Sequence, residues 1–297
     1  MISTFAVTSA RSLAEAYALL GTRPAGLKVL AGGTDLMVQL NAGIGLERLG
    51  PVLDVWKVPE LRRVERVRQA DGEWLLLGAL TTYTELIRNP VIQAAAPALG
   101  AIAREVGAWA IQNRGTLGGN ICNASPAGDT LPVLLAAEAR FVLGGPRGER
   151  TLAADQFFVA YRRTQLAADE LLLRVEVPIG GQLVARKVGT RRAQSISKTL
   201  VAVKAGEVVA GTSERGPALR GVRIGAGCVA PIPLRCRNAE AALEGVPLDA
   251  GTLAALRAAI DTDIKPIDDV RSDAIYRRRV TANVLVRLVE QLAAGHA

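Results

Sequence analysis

The chain has 297 residues, of which 49% are hydrophobic and 22% charged, and its formal net charge is +8. This composition excludes a disordered chain and allows two ordinary domains, whose cores must be built from Ala, Val and Leu because aromatic residues make up only 4%. Three cysteines and a single histidine, His296 at the chain end, exclude most zinc sites, cysteine-ligated iron–sulfur clusters and His-dependent triads. We predict no catalytic and no metal-binding residue in this chain.

The net positive charge and the N-terminal residues indicate which binding partners and which cellular location to expect. Basic residues cluster weakly and few aromatic residues lie among them, so surface basicity explains the charge better than nucleic-acid binding does. The first residues lack the basic start and apolar block of a signal peptide. No apolar run approaches the roughly 20 residues that span a bilayer. We expect a soluble, cytoplasmic protein with no nucleic-acid partner and no membrane span.

The first half of the chain alternates predicted helices and strands. Ser12 and Glu15 form a capping box, which is typical of a helix start. A short strand follows at 28–31, before a glycine pair, and then a helical turn that ends near Gly43. The remaining elements predicted here are strands at 51–55 and 73–80 separated by the charged segment 60–72, helices at 81–90 and 97–111, and a helix at 131–139.

A β-hairpin and a long strand complete this half. The hairpin spans 140–152 with "GGPRGE" as its turn, and the strand covers 170–178 before the Gly180–Gly181 break. We place the domain boundary there, which gives a first domain at 1–178, with subdomains of about 1–57 and 58–178. The second domain, at 183–293, is predicted to be α+β, with strands followed by three helices.

Two glycine-rich turns carry the clearest chemical signal. They are "AGGTDL" at 31–36 and "GTLGGN" at 115–120, and each follows an apolar segment. Glycine permits positive φ and lets a ligand approach the backbone, and successive N–H groups in such turns form a concave anion site. Neither turn matches a P-loop or a GxGxxG fingerprint. The alternative is that both are simple tight turns between core elements.

Several neighbouring side chains add to this signal. Thr34, Thr116, Asn120 and Ser125 are candidate hydrogen-bond donors to a phosphate. Asp35 and Asp129 close the two loops, and each is either a helix N-cap or an acceptor for a ribityl or ribose hydroxyl. Cys122 is expected to be a small buried side chain and not a nucleophile. Further along, Lys187, Arg191 and Arg192 contact a phosphate or an electron-rich ring edge, or else form a solvated basic face.

These motifs together resemble a known family. "AGGTDLM" with "NRGTLGGNICNASPAGDTLPVLLA" resembles the two FAD-contacting loops of the flavoprotein (medium) subunit of molybdenum hydroxylases, the xanthine dehydrogenase and aerobic carbon monoxide dehydrogenase family. "FFVAYRRTQLAADELLLRVEVP", "VRIGAGCVAPIPLRCRNAEAALEG" and "DDVRSDAIYRRRV" extend the resemblance over essentially the whole chain. The resemblance implies an FAD-binding fold of the vanillyl-alcohol-oxidase or p-cresol-methylhydroxylase type, with two α+β subdomains, plus a C-terminal α+β domain.

The resemblance also implies which residues bind FAD. A first wall runs along the pyrophosphate, a second faces it with Asp129 bonded to the cofactor, Leu172 lies near the isoalloxazine, and Lys187 approaches the ring edge. The implied residues are Val29, Leu30, Ala31, Gly32, Gly33, Thr34, Asp35, Leu36, Thr116, Gly118, Gly119, Asn120, Cys122, Asn123, Ser125, Asp129, Leu172 and Lys187. The segment "QSISK" departs from the family pattern, and without a suitably placed His or Cys we expect non-covalent FAD.

The implied function is electron transfer within a larger enzyme. Electrons leave a molybdenum cofactor in a large subunit, cross two [2Fe–2S] clusters in a small subunit and reach FAD here. The flavin then passes them to NAD, dioxygen, a quinone or another carrier, and the assembly is expected to be a dimer of heterotrimers. The alternatives are a stand-alone FAD-dependent reductase or oxidase on the same scaffold, a non-catalytic nucleotide-binding subunit and, with only the net charge in its favour, a nucleic-acid binder.

Overall fold

The computed structural model describes residues 6–22, 26–43, 50–192, 194–212 and 215–295, and it is a mixed α+β structure. The first unit is a small parallel sheet flanked by two helices. Its strands lie in the order β1-β3-β2. The elements are β1 (Val7–Ser9), α1 (Leu13–Gly21), β2 (Lys28–Leu30), α2 (Leu36–Asn41) and β3 (Val52–Asp54).

The predicted start of α1 is confirmed. The Ser12 side chain accepts a hydrogen bond from the Glu15 N–H at 3.2 Å. Glu15 returns its own bond to the Arg11 N–H at 2.7 Å instead of to Ser12. In a standard capping box the Glu side chain would accept from the N-cap residue Ser12, whereas here it accepts from Arg11, the residue before the N-cap.

The second unit is a five-stranded antiparallel sheet with short helices around it. The strands lie in the order β4-β5-β10-β6-β7. The elements before the hairpin are β4 (Val64–Gln69), β5 (Gly72–Gly78), α3 (Tyr83–Arg88), α4 (Pro90–Ala95), α5 (Pro97–Ala103), α6 (Trp109–Gln112), α7 (Leu117–Asn123) and α8 (Leu131–Ala136). Those that follow are β6 (Arg140–Gly145), β7 (Gly148–Ala153), α9 (Ala154–Phe157), β8 (Phe158–Ala160), β9 (Arg163–Thr164) and β10 (Leu171–Pro178).

Three predictions about this unit were wrong. The charged segment 60–72, which was predicted only to separate two strands, contains β4, an edge strand that alternates exposed and partly buried residues. The single helix predicted at 97–111 is two helices, because Gly107 between them adopts φ +55°. The segment predicted as a glycine-rich turn at 115–120 is largely helical, since it contains the start of α7.

The third unit is a four-stranded antiparallel sheet backed by three helices. The strand order is β11-β12-β15-β16, and β13 pairs with β14. The elements are β11 (Gln182–Val188), β12 (Thr199–Ala205), β13 (Glu207–Val209), β14 (Ala218–Arg220), β15 (Arg223–Gly227), β16 (Leu234–Arg235), α10 (Arg237–Leu243), α11 (Ala250–Asp263) and α12 (Ala274–Ala293).

Helix α8 joins the second and third units. It packs against β12 and β15, and a side chain at Gly225 would meet the Pro132 carbonyl oxygen at 2.1 Å. This close approach requires glycine at that position. The domain limits of 1–178 and 183–293, and the subdomain limits of about 1–57 and 58–178, stay predictions.

Candidate functional site: a cavity between two loops

The loop between β2 and α2 offers free backbone donors. Gly33 adopts φ +80°, a conformation that glycine favours. The N–H groups of Gly32, Gly33, Thr34 and Asp35 have no hydrogen-bond partner among the described residues. Such a row of unpaired donors is the usual composition of an anion-binding concavity.

Gly32 lies directly against the second loop. A Cβ at Gly32 would stand 1.7 Å from the Arg114 carbonyl oxygen, so no side chain fits there. The Arg114 Nε donates to the Gly32 carbonyl oxygen at 3.4 Å, and the Arg114 guanidinium lies 3.8 Å from the Trp56 ring centre. The guanidinium of Arg62 also lies over Trp56, at 4.4 Å. These contacts fix the distance between the two loops.

The second loop differs from its prediction. Helix α7 begins after Thr116, whose side chain accepts from the Gly119 N–H at 3.0 Å. The N–H groups of Leu117 and Gly118 donate to the Thr81 and Ala79 carbonyl oxygens, both at 2.8 Å. These N–H groups are thus already paired within the protein, and the prediction of a second backbone cradle was wrong. This segment offers side chains instead.

Polar side chains connect the loops across the gap. Asn123 Nδ2 donates to Asp35 Oδ1 at 3.1 Å, and Arg162 Nη1 donates to Asn123 Oδ1 at 2.9 Å. The Thr130 hydroxyl donates to Asn120 Oδ1 at 2.6 Å. Asp35 is at the N-cap position of α2, but its side chain does not cap the helix. Its carboxylate instead accepts the hydrogen bond from Asn123 across the gap.

A cavity of about 330 Å³ lies between the two loops. All the sequence-predicted FAD residues line it except Ser125, Asp129 and Lys187. Ser125 lines a second, larger cavity of about 800 Å³. The two cavities share part of their walls, formed by Thr34, Asp35, Tyr83, Asn120 and Asn123. Whether each of these residues contacts the cofactor stays a prediction.

Sequence reasoning missed several residues of the first cavity wall. They are mostly apolar and come from elements far apart in the chain, so no local pattern marks them. They are Lys28, Gln39, Val55, Leu61, Ala79, Leu80, Tyr83, Leu166 and Leu171. Tyr83 is buried, and burial raises the pKa of its hydroxyl, which therefore stays protonated at physiological pH.

Asp129 and Lys187 are bonded to each other. Lys187 Nζ lies 2.6 Å from Asp129 Oδ2 and donates to the Glu105 carbonyl oxygen at 3.0 Å. Ser197 Oγ donates to Asp129 Oδ1 at 2.5 Å. Burial raises the pKa of Asp129, and the charge and hydrogen bond of Lys187 limit that rise. The predicted alternative of Asp129 as a helix N-cap was wrong, because Thr130 holds that position in α8.

The remaining candidates are placed as follows. The prediction that Cys122 is buried was wrong, because its side chain is exposed at the first cavity. The atoms around the cavity nevertheless desolvate its thiol and raise the pKa to about 12. A protonated thiol is a weak nucleophile, which favours Cys122 as a wall of the site. Leu172 lines the cavity from β10. Arg191 and Arg192 are exposed and line neither cavity.

Comparison with known proteins decides the family. Residues 3–180 match the FAD binding domain in molybdopterin dehydrogenase, and residues 185–292 match the CO dehydrogenase flavoprotein C-terminal domain. The chain belongs to the FAD-binding subunits of the molybdenum hydroxylase family. The FAD-binding fold of the vanillyl-alcohol-oxidase or p-cresol-methylhydroxylase type is thereby confirmed.

The relatives of this FAD-binding subunit are subunits of enzymes that are named for different substrates. It is 32% identical over 280 residues to the carbon monoxide dehydrogenase medium chain of Hydrogenophaga pseudoflava, covering 93% of each chain. It is 30% identical over 292 residues to the xanthine dehydrogenase FAD-binding subunit of Escherichia coli O157:H7, covering 96% of this chain and 95% of the relative. A solved structure of the Hydrogenophaga pseudoflava enzyme superposes with a TM-score of 0.86 at 31% identity, covering 97% of this chain and 96% of that chain.

The residues on the cavity wall fit FAD chemically. Free N–H groups and hydroxyl or amide side chains suit a pyrophosphate and a ribityl chain, and the apolar residues suit flat ring systems. Among the described residues, no helix is long and apolar enough to cross a bilayer. Within the same residues, no cluster of His, Cys, Asp and Glu is arranged to bind a metal ion.

Proposed function

We propose that the FAD-binding subunit holds its cofactor between the β2–α2 loop and α7, with the pyrophosphate on the N–H groups of Gly32 to Asp35. The unpaired state of these donors is the single observation that carries the proposal, because Gly32, Gly33 and Thr34 are partly buried and such N–H groups normally find a partner. Asn120 and Asn123 on α7 face the same gap and complete the polar surroundings of the phosphates.

The contribution of this chain to catalysis is binding, orientation and electrostatics. FAD supplies the two-electron chemistry when bound. The loop donors fix the position of the phosphates, Leu172 and Tyr83 wall the cavity, and the Asp129–Lys187 pair keeps a fixed dipole beside Ser197 at the junction of the second and third units. No side chain of this chain is required as a general acid or base.

The position in the electron path follows from the family. Relatives at about 30% identity belong to carbon monoxide and xanthine dehydrogenases. The proposed path runs from a molybdenum cofactor in a large subunit through [2Fe–2S] clusters in a small subunit to FAD in this chain, and on to an external acceptor. A dimer of such heterotrimers, non-covalent FAD and a cytoplasmic location stay predictions.

FAD titration of the purified full chain tests the proposal. FAD carries a pyrophosphate and FMN does not, so we expect FAD to bind and FMN to bind at least about 100-fold more weakly, since several charge-assisted hydrogen bonds are lost. Equal binding of FAD and FMN would contradict a pyrophosphate on the Gly32–Asp35 loop. Release of free FAD on denaturation checks that the cofactor is non-covalent.

A further inference from the structure

Tyr83, the first residue of α3, lies on the wall that the two cavities share. Its side chain lines both of them, and the residue is only 5% exposed. The capping box of Thr82 and Glu85 begins the helix directly before it, with the Thr82 side chain accepting from the Glu85 N–H at 3.2 Å. The Tyr83 N–H donates to the Gly115 carbonyl oxygen at 3.1 Å. These bonds fix the backbone from which the aromatic ring extends.

Gly115 leaves the space that the Tyr83 ring occupies. A Cβ at Gly115 would stand 2.6 Å from Tyr83 Cε2 and 2.9 Å from Tyr83 Cδ2, so the ring lies directly against bare backbone. Gly115 does not adopt a positive φ, so the space for the ring, and not the backbone conformation, requires glycine here. The first glycine of the segment "GTLGGN" thereby fixes the position of the hydroxyl group at the far end of the ring.

The hydroxyl group of Tyr83 has no hydrogen-bond partner within the described part of the chain. Among the same residues, the side-chain atoms that are completely sealed without a partner are Thr81 Oγ1 and Arg277 Nε. The Tyr83 hydroxyl is not one of these, so it is reached from the cavities that its side chain lines. Buried tyrosine hydroxyls normally find a partner, and an unpaired one that faces a cavity therefore indicates a ligand with a hydrogen-bond acceptor.

The first cavity offers little net charge to a bound pyrophosphate. Among the described residues of its wall, the charged side chains are those of Lys28 and Asp35, whose charges cancel. The anion must therefore be held mainly by uncharged donors such as N–H groups, amides and hydroxyls. Burial raises the pKa of the Tyr83 hydroxyl, and the carboxylates of Asp129 and Asp35 raise it further. The hydroxyl thus keeps its proton at physiological pH and remains a donor.

We propose that the Tyr83 hydroxyl donates a hydrogen bond to the pyrophosphate of FAD and that Gly115 positions the ring for this bond. Thr34 and Asp35, whose N–H groups are proposed to bind the same anion, line the shared wall together with Tyr83. A hydrogen bond to an anionic oxygen adds affinity without a cation in the cavity. The inference rests on the proposed function, because it adds a side-chain donor to the pyrophosphate site proposed there.

The test compares two ligands on the purified full chain. FAD carries both the flavin and the pyrophosphate, whereas ADP-ribose carries the pyrophosphate without the flavin. Fluorescence titration gives the dissociation constant of FAD, and competition against FAD gives that of ADP-ribose. The midpoint potential of bound FAD is the third measurement, because a hydrogen bond to the flavin ring shifts the potential and a hydrogen bond to the pyrophosphate does not.

The central variant is Tyr83→Phe, which removes the hydroxyl and keeps the ring. We expect it to weaken the binding of FAD and of ADP-ribose about tenfold each, with an unchanged midpoint potential. Gly115→Ala should displace the ring and weaken both ligands by at least as much. Adding Tyr83→Phe to Gly115→Ala should then cost no further affinity, because the hydrogen bond is already lost. The matched control is Tyr17→Phe, which removes a hydroxyl from α1, outside both cavities, and should bind both ligands like the parent.

Two outcomes would overturn the inference while leaving the proposed function intact. One is a Tyr83→Phe chain that binds ADP-ribose as tightly as the parent. The other is a midpoint potential shifted by about 30 mV, which corresponds to a tenfold difference between oxidised and reduced FAD and would assign the hydroxyl to the flavin ring. A parent chain that binds no FAD, or binds FAD but not ADP-ribose, would instead contradict the proposed function, because the pyrophosphate would then contribute no affinity.

Discussion

Lys187 Nζ lies 2.6 Å from Asp129 Oδ2, and both side chains are almost completely buried where the second and third units of the fold meet. Asp129 precedes α8, and Lys187 is on β11. The Lys187 ammonium also reaches the Glu105 carbonyl oxygen at 3.0 Å, and Ser197 holds the other Asp129 oxygen. The pair therefore fastens β11 and the β11–β12 connection to the unit that contains α8, beside the second cavity.

Breaking this pair is expected to destabilise the protein strongly. Asp129→Asn leaves Lys187 as an uncompensated buried cation, and such changes cost about 3–5 kcal/mol. Lys187→Met leaves the Asp129 carboxylate buried and should cost a similar amount. Urea unfolding monitored by circular dichroism measures both losses.

The double variant Asp129→Asn with Lys187→Met separates charge pairing from packing. With neither charge present, most of the lost stability should return, because replacing a buried ion pair by neutral groups of similar size is often nearly neutral. Ser197→Ala in the parent removes one hydrogen bond and should cost only about 1 kcal/mol. Additive losses in the double variant would show that the two side chains do not interact.

Local sequence patterns predicted much of the fold because they act over a few residues. The Ser12 cap, the hairpin of β6 and β7, and the run of β10 all follow from capping, turn chemistry and apolar patterning. Helix α7 could not be predicted in this way. Two adjacent glycines disfavour a helix, but a Cβ at Gly118 would meet Ala79 at 2.7 Å, so tertiary packing requires glycine inside this helix.

The site shows the same division between local and distant signals. The β2–α2 loop was predictable because its glycines and Thr34 are consecutive. The Asp129–Lys187 pair was not, because its two residues lie 58 positions apart and meet only in the folded chain. Likewise, the apolar residues of the first cavity wall resemble any other core residues in the sequence.

Substitution of two glycines separates loop packing from cofactor space. Gly119 lines the first cavity, and a Cβ there meets only Thr116 Oγ1, at 2.9 Å, so Gly119→Leu should extend into the space for FAD. We expect FAD affinity to fall on the order of 100-fold, with a local shift of the Thr116 side chain at the start of α7. Gly32→Ala should instead force the loops apart, since its Cβ would stand 1.7 Å from the Arg114 carbonyl oxygen, and cost about 1–3 kcal/mol of stability.

The matched control for these glycine variants is Gly21→Leu. A Cβ at Gly21 meets only Pro146 Cγ, at 3.7 Å, at the end of α1 and outside both cavities. Fluorescence titration with FAD and thermal unfolding are measured on all three variants. Tight FAD binding by Gly119→Leu would show that the first cavity is not the cofactor site.

Cys122 is expected to be chemically inert. Desolvation raises the pKa of this thiol to about 12 and so disfavours the thiolate at pH 8, and alkylation should therefore be slower than for a free thiol. Peptide mass spectrometry after iodoacetamide treatment measures the rate, with glutathione as the reference thiol. Cys122→Ala should change FAD affinity less than about threefold. If iodoacetamide labelled Cys122 as fast as it labels glutathione, Cys122 would be a reactive thiol and not only a lining residue of the first cavity.

The acid stability of the chain should depend on Glu170, which precedes the cavity-lining Leu171 and Leu172 on β10. Both Glu170 oxygens accept from Arg150 at 2.7 Å, and one accepts from the Ala167 N–H at 2.9 Å. The Arg150 hydrogen bond, against the effect of burial, holds the pKa of Glu170 below its usual value of 4.5.

The sign of the pH dependence follows from this lowered pKa. A carboxyl whose pKa is lower in the folded chain stabilises it fully above its unfolded value, and that stability is lost as pH falls from about 4.5 through the folded pKa. Glu170→Gln should therefore cost about 1–2 kcal/mol at pH 7, with the difference from the parent shrinking as pH falls below about 4.5. Glu207→Gln, an exposed carboxylate 3.9 Å from Arg220, serves as control and should change stability by less than about 0.5 kcal/mol. Urea unfolding at each pH provides the comparison, and a difference between parent and Glu170→Gln that does not vary with pH would contradict this assignment.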